Sequence, residues 1–196
     1  MKGELYGLIL AGGKSVRMGR DKGAIRYFKK EQRYHSADLL SAACDQVFIS
    51  LRKGQLEGIN PQYQYLTDTE HVNGPMNGIL SAHKKYPSKS WFVLACDLPM
   101  MDFHHIEQLV KNREEGYDAV SFSLQKKPMP EPVCAIWEKS GLEKLAKSID
   151  KLESSCPRKF LINSKTKLVF PKDEQILLNA NYPIELEKIK TLLNQT

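Results

Sequence analysis

The first segment of this chain constrains it most. An apolar run, Leu8-Ile9-Leu10-Ala11, ends in two adjacent glycines, Gly12 and Gly13. It passes into a basic loop, Lys14-Ser15-Val16-Arg17-Met18-Gly19-Arg20, that closes on Asp21-Lys22. Paired glycines after a strand let backbone N–H groups approach an anion closely, while lysine and arginine neutralise its charge. The pattern is that of a loop folded around a polyphosphate. It is neither of the two commonest phosphate loops. Gly13 and Gly19 stand too far apart for a Walker A loop, and Arg20 follows them. The dinucleotide fingerprint G-x-G-x-x-G fails because Gly12 and Gly13 are adjacent.

Behind this loop, short apolar runs alternate with helical patterns. Residues 4–10, 46–51, 62–66, 91–96, 119–124, 131–137 and 167–170 read as strands, and 91–96 is apolar enough to be buried on both faces. Helices are expected at 32–43, at 76–85 and at 141–152. Another follows a capping Asp102, with Phe103, Ile106, Leu109 and Val110 on one face. The last opens at Pro183 and carries Leu186, Ile189 and Leu193 inward. Such alternation specifies an α/β fold, a Rossmann-like, mostly parallel sheet flanked by helices. A length of 196 residues is most simply one domain, 1–196. The stretch 123–132 reads as a loop between two strands, at the start of a sub-region covering the sheet edge. In open α/β sheets ligands bind beyond the carboxyl ends of the strands, where the 11–22 loop lies.

Composition narrows the function classes. The chain is 41% apolar, with no run able to span a bilayer and a first segment that reads as a strand rather than a signal peptide. A cytoplasmic protein without membrane contact is expected. The net charge of +6 suits an anionic ligand or a solvated basic surface. Basic and aromatic residues mix at 26–33, but no nucleic-acid-binding motif accompanies them, so no nucleic-acid partner is expected. The four cysteines, Cys44, Cys96, Cys134 and Cys156, form no C-x-x-C and read as thiols in a reducing compartment, Cys96 within the core. His104 and His105 adjoin on a helix and point apart, which reads as surface or capping rather than metal binding. No nucleophile motif is present.

Four further positions carry chemistry. Asp97 ends the buried run Trp91-Phe92-Val93-Leu94-Ala95-Cys96. Mg²⁺ on nucleotide phosphates needs only one or two protein carboxylates, and Asp97 suits that role or a turn cap before Leu98-Pro99. Gly74-Pro75-Met76-Asn77-Gly78-Ile79-Leu80 is a turn opening a helix, whose first N–H groups can hold an anion or a base edge. Asp68 precedes it, and its carboxylate can accept N–H groups of a ligand or serve the turn. Asn179 and Asn181 are potential helix caps.

Taken together these segments resemble the molybdenum cofactor guanylyltransferase family. The run from Leu10 to Lys22 matches that family's L-A-G-G-x-S-x-R-M-G-x-D-K without a gap. Cys96-Asp97-Leu98-Pro99 is similar to its C-D-x-P, and Gly74-Pro75-Met76-Asn77-Gly78-Ile79-Leu80 to its G-P-L-x-G-I/M-L. Glu131-Pro132-Val133-Cys134-Ala135-Ile136-Trp137 and Asn179-Ala180-Asn181-Tyr182-Pro183 resemble its Q/E-P-L-C-A-L-Y and N-x-N-T-P. Cys156-Pro157-Arg158-Lys159 resembles a shorter element and otherwise reads as surface charge. The likeness runs from Leu8 to about Leu186.

The resemblance implies a fold of the nucleotide-diphospho-sugar transferase type and transfer of GMP from GTP to molybdopterin, with Mg²⁺ as cofactor. Leu10, Ala11, Gly12, Gly13, Lys22, Asp68 and Asp97 would then bind the nucleotide, with Asp68 on guanine. Asp97 would hold the metal, Asn179 and Asn181 the pterin. Arg17, Lys22 and Asp97 would be the catalytic residues. Partner proteins that deliver the cofactor or receive it are implied by the fragility of the product. Two departures stand out. Where many relatives carry a nucleotide-touching asparagine after the second strand, the nearest residue here is Leu51, followed by Arg52. The usual Gly-Lys-Pro after Tyr27 is replaced by Phe28-Lys29-Lys30-Glu31-Gln32. The first leaves base specificity open, so a molybdopterin cytidylyltransferase or a sugar-phosphate nucleotidyltransferase remains an alternative. So does a nucleotide- or cofactor-binding protein without turnover.

Overall fold

The computed structural model describes residues 4–13, 21–69, 72–148 and 156–193. Arg17 and the rest of 14–20 lie outside these residues, as do 149–155, including the end of the expected 141–152 helix. The seven strands are β1 (Leu5–Leu10), β2 (Gln46–Leu51), β3 (Gln64–Thr67), β4 (Ser90–Ala95), β5 (Ala119–Phe122), β6 (Cys134–Trp137) and β7 (Thr166–Val169). They form one sheet in the order β3-β2-β1-β4-β6-β5-β7. β6 alone runs antiparallel to its neighbours, with Trp91 opposite Trp137 and Ala119 opposite Trp137 on its other side. The mostly parallel α/β sheet expected from the alternating pattern is therefore present.

Its two faces follow from the period-2 alternation of side chains in a strand. On one face Leu5, Ile9, Ile49, Phe92, Leu94 and Ile136 pack under α1 (Gln32–Ser41) and α3 (Phe103–Lys111). On the other, Tyr6, Leu8, Phe48, Trp91, Val93 and Trp137 pack under α2 (Pro75–Lys85), α4 (Lys139–Ser148) and α5 (Pro157–Ile162). The final helix, α6 (Pro183–Leu193), buries Leu186 and Ile189, and Leu186 joins Ile25 in a small separate cluster. Among the described residues no helix is long and apolar enough to cross a membrane.

Several expectations need correction. α5 was not foreseen; it holds six residues, too few to show a helical period. Phe103 is 42% exposed, so the buried stripe of α3 begins at His105 and Ile106. His105 is not a surface residue. It is buried, with Nδ1 2.7 Å from the capping Asp102 carboxylate, whose Oδ1 also accepts the His105 backbone N–H. Cys96 lies in the core as expected, and its burial pushes the thiol well up.

Candidate active site

Strand order reverses direction between β1 and β4, with β2 and β3 on one side of the pair. A cavity of about 550 Å³ opens above the carboxyl ends of these strands. Such a topological switch point is where open α/β sheets bind ligands. The backbone continues its stitching beyond the strand ends. Ala11 N–H donates to Ser50 O, Cys96 N–H to Leu10 O and Asp68 N–H to Leu51 O. The cavity floor is thus a fixed surface rather than a set of loose loops.

At one end of the cavity stand Lys22 and Asp97, with Asn181 bonded to Lys22, the three brought together from across the chain. Lys22 Nζ lies 3.3 Å from Asp97 Oδ2 and also donates to Asn181 Oδ1. Both Lys22 and Asp97 side chains are 19% exposed, so the pair interacts in a partly desolvated setting. Asp97 Oδ1 is buried and has no hydrogen-bond partner among the described residues. The segment carrying Asn181 is held by Ala180 N–H donating to Asp97 O at 2.9 Å. Glu185 reaches back to accept the N–H groups of Asn181 and Tyr182, so Glu185 caps α6 and leaves the Asn181 side chain to Lys22. Asn179 lines the same cavity.

Lys22 is aimed by its neighbours. Asp21 Oδ1 accepts the Gly23 N–H at 2.9 Å, closing a tight 3₁₀ turn over Lys22–Ala24. Arg33 Nη2 donates to Asp21 Oδ2 at 3.1 Å, and Arg33 also pairs with Glu31. The Arg33 side chain is only 8% exposed and sits on α1, so the turn is bolted to a packed helix. Of this cluster, Glu31 lies within the stretch 28–32 that replaces the family's Gly-Lys-Pro, and Arg33 directly follows it.

The other end of the cavity is built from Gly12, Ser50, Arg52, Asp68 and the start of α2. Gly74 adopts φ +71°, a backbone conformation that only glycine takes without strain, and Pro75 then opens the helix. A Cβ on Gly78 would stand 2.7 Å from Leu10 Cδ2 and from Ser50 Oγ. The glycine therefore lets α2 press its first turn onto the ends of β1 and β2. Ser50 Oγ donates to Asp68 Oδ1 at 2.5 Å, and Asp68 Oδ2 stands 3.0 Å from where a Gly12 Cβ would be. Burial holds the Asp68 carboxyl above its ordinary range, against the pull of the Ser50 hydrogen bond and the Arg52 charge.

Leu51 does not face this cavity. It is wholly buried in the core, and its neighbours Ser50 and Arg52 line the wall. A single step along a strand exchanges faces, so the departure expected at position 51 belongs to positions 50 and 52. Arg52 is fastened by its own N–H to Gln55 Oε1, and Gln55 Nε2 reaches Ala11 O. The sequence signal that marks Ser50 is a lone polar residue closing the apolar run Val47-Phe48-Ile49.

Of the residues singled out from sequence, Leu10, Ala11, Gly12, Gly13, Lys22, Asp68, Asp97 and Asn179 line one cavity, with Asn181 bonded to Lys22. Arg17 lies outside the described residues. Arg158, read as surface charge, has a side chain 43% exposed and also donates to Pro130 O and pairs with Glu131 at 2.6 Å. Burial raises the Glu131 carboxyl despite Arg158, and nearby Asp97 pushes the same way. Among the described residues no group of three or more His, Cys, Asp or Glu converges as a metal cluster.

With this geometry in view, the chain can be set beside known proteins. A model of the MobA-like NTP transferase domain matches residues 7–167. The chain is 33% identical over 186 residues to the molybdenum cofactor biosynthesis bifunctional protein of Synechocystis sp., covering 94% of this chain and 53% of that one. It thus spans about half the length of that relative. It is 27% identical over 193 residues to a molybdenum cofactor guanylyltransferase of Campylobacter jejuni, covering 97% of both. Its fold is similar to the crystal structure of molybdopterin-guanine dinucleotide biosynthesis protein A from Archaeoglobus fulgidus, with a TM-score of 0.80 at 20% identity, covering 97% of this chain and 100% of that one. The family match takes in the strands and turns that build the cavity floor, and this chain belongs to the MobA-like NTP transferase family.

Proposed function

We propose that this protein is a molybdenum cofactor guanylyltransferase, moving GMP from GTP to the terminal phosphate of molybdopterin and releasing pyrophosphate. The observation that carries the reading is the convergence of Lys22, Asp97 and Asn181 at the strand ends, beside the paired glycines. The names of the relatives support the acceptor, and Asp68 supports the base. Guanine presents N1–H and the N2 amino group side by side, and a carboxylate accepts from both. Adenine and cytosine place an acceptor at the corresponding ring nitrogen, which a carboxylate repels.

Asp97 fits a magnesium ion. Its Oδ1 is a buried oxygen without a partner among the described residues, and a single carboxylate is enough when phosphates and waters complete the shell. Bound there, magnesium would supply charge neutralisation to the phosphates. The protein groups do the rest. The backbone N–H groups of Gly12 and Gly13, at the end of the Leu10–Gly13 segment, hold the nucleotide, and Lys22 offsets the negative charge that gathers on the departing pyrophosphate. Arg17 is assigned the same task from the sequence. No general base is required. A phosphate monoester, with a second pKa of about 6, is already largely dianionic at neutral pH. Its oxygen forms a bond to the α-phosphorus as the bond to the β-phosphate oxygen breaks, and the electron pair leaves with pyrophosphate. The site's contribution is alignment and charge.

Pyrophosphate release across the four nucleoside triphosphates, with molybdopterin or sugar phosphates as acceptor, tests this. GTP with molybdopterin is expected to dominate. Lys22→Ala and Asp97→Ala are each expected to lower kcat by about 100-fold or more, the usual loss for a preorganised charge contact. Dominance of CTP or of a sugar phosphate, or near-normal turnover in a folded Lys22→Ala protein, would overturn the reading.

A further inference from the structure

Asp68 answers only half of a guanine. Beside the donor edge, the base offers two adjacent acceptors, O6 and N7, and these need a donor on the wall. We propose that Arg52 is that donor: its guanidinium reads O6 and N7 while Asp68 reads N1–H and N2–H, and the two together select guanine. The proposal rests on the guanylyl-transfer reading and adds to it the residue that sets base choice.

The wall itself carries the argument. Arg52 and Asp68 line the same cavity, and the Arg52 stem runs along the glycine turn, with Cγ 3.5 Å from where a Gly12 Cβ would stand. The guanidinium carries five N–H donors. Its Nη2 reaches Gly13 O at 3.4 Å, longer than a normal hydrogen bond, and its Nε is buried with no partner among the described residues. A desolvated donor left unmatched is costly, and a ligand acceptor removes that cost. Arg52 is close enough for its charge to favour the ionised Asp68. Yet no ion pair between the two side chains is found among the described residues, so neither spends its hydrogen bonds on the other. An acceptor and a fork of donors standing side by side, and not joined, complement the two edges of guanine. The geometry is anchored: Leu51 is locked in the core, and Arg52 N–H is held by Gln55.

The test uses nucleotide analogues that change single atoms. Binding of GTP, 7-deaza-GTP, ATP and CTP is measured by calorimetry on the full chain, for wild type, Arg52→Met and Arg52→Lys. Wild type is expected to bind 7-deaza-GTP, which lacks the N7 acceptor, roughly ten-fold more weakly than GTP. Arg52→Met is expected to weaken GTP by roughly ten- to 100-fold and to bind GTP and 7-deaza-GTP alike. Arg52→Lys keeps the charge without the fork and is expected to lose most of the N7 discrimination. If Arg52→Met weakens all four nucleotides by one factor, the guanidinium serves the phosphates and the proposal falls. It falls alone if the variant keeps the wild-type preference for GTP over 7-deaza-GTP. If wild type itself prefers CTP or ATP, the guanylyl-transfer reading falls and takes this assignment with it.

Discussion

Asp68 carries a charge that the protein holds at a cost. Burial raises its carboxyl, so the folded state favours the protonated form more than the unfolded chain does. Such a group stabilises folding only below its unfolded pKa, and that benefit is lost as pH rises through the folded value. At neutral pH the ligand-free protein therefore carries an unfavourable contribution that Asp68→Asn removes, while Ser50 still has an oxygen to donate to. The variant is expected to melt slightly higher at pH 7, by no more than about 2 °C, because solvent screens the exposed part of the carboxylate. The gain is expected to vanish toward pH 4, and guanine nucleotide binding to fall at least about ten-fold. Melting curves at both pH values, with a titration of GTP, check all three. Lys22, Asp97 and Asp68 were legible in the sequence because each follows a strand or glycine turn in a fixed chain order. Ser50, Arg52 and Arg33 were not. Which face a strand residue takes depends on register, and the Arg33–Asp21 pair joins a helix to a turn whose packing no local pattern records.

Two helices of this fold touch their neighbours through glycine, and they do so for different ends. In α2, Gly78 admits Ser50 Oγ and Leu10 Cδ2 at 2.7 Å from its missing Cβ, both side-chain atoms able to rotate aside. Moving Ser50 breaks its bond to Asp68. In α4, Gly141 meets the Asp118 backbone carbonyl oxygen at 2.3 Å from its missing Cβ, and backbone does not yield by rotation. Gly141→Ala is expected to destabilise by about 1–3 kcal/mol, lowering Tm by roughly 3–10 °C, with GTP affinity unchanged. Gly78→Ala is expected to weaken GTP binding about ten-fold or more with a smaller change in Tm. Paired melts and binding curves separate the two. Equal losses of stability and affinity in both variants would contradict the assignment. At this scale the sequence marked strand centres well, since apolar runs of three to six residues stand out in β1, β2 and β4. It did not show that β6 runs antiparallel, because direction within a sheet leaves no trace in hydrophobic periodicity. Nor did it show α5, whose Arg158 ties Glu131 and the β5–β6 connection to the rest of the molecule.

Across the whole molecule, the proposed active site is also a clasp. Lys22 meets Asp97, 75 residues further on, and Asn181, 159 residues further on. The Asp97 carbonyl accepts the Ala180 N–H, so the first strand's loop, the fourth strand and the last segment before α6 meet at one point. A nucleotide seated there binds only when these distant segments are together, and its binding energy is added to the stability of the assembled fold. At one hundred times its dissociation constant a ligand contributes about 2.7 kcal/mol. For a chain of this size that corresponds to a rise in Tm of roughly 5–10 °C. Asp97→Asn and Lys22→Met, each with affinity reduced about 100-fold, would at the same concentration gain only about 0.4 kcal/mol, a shift of roughly 1 °C. The measurement is a thermal melt of all three proteins with and without GTP and Mg²⁺ at a fixed excess. A wild-type Tm that stays level, or a rise that survives intact in both variants, would mean that the nucleotide does not draw these three segments together.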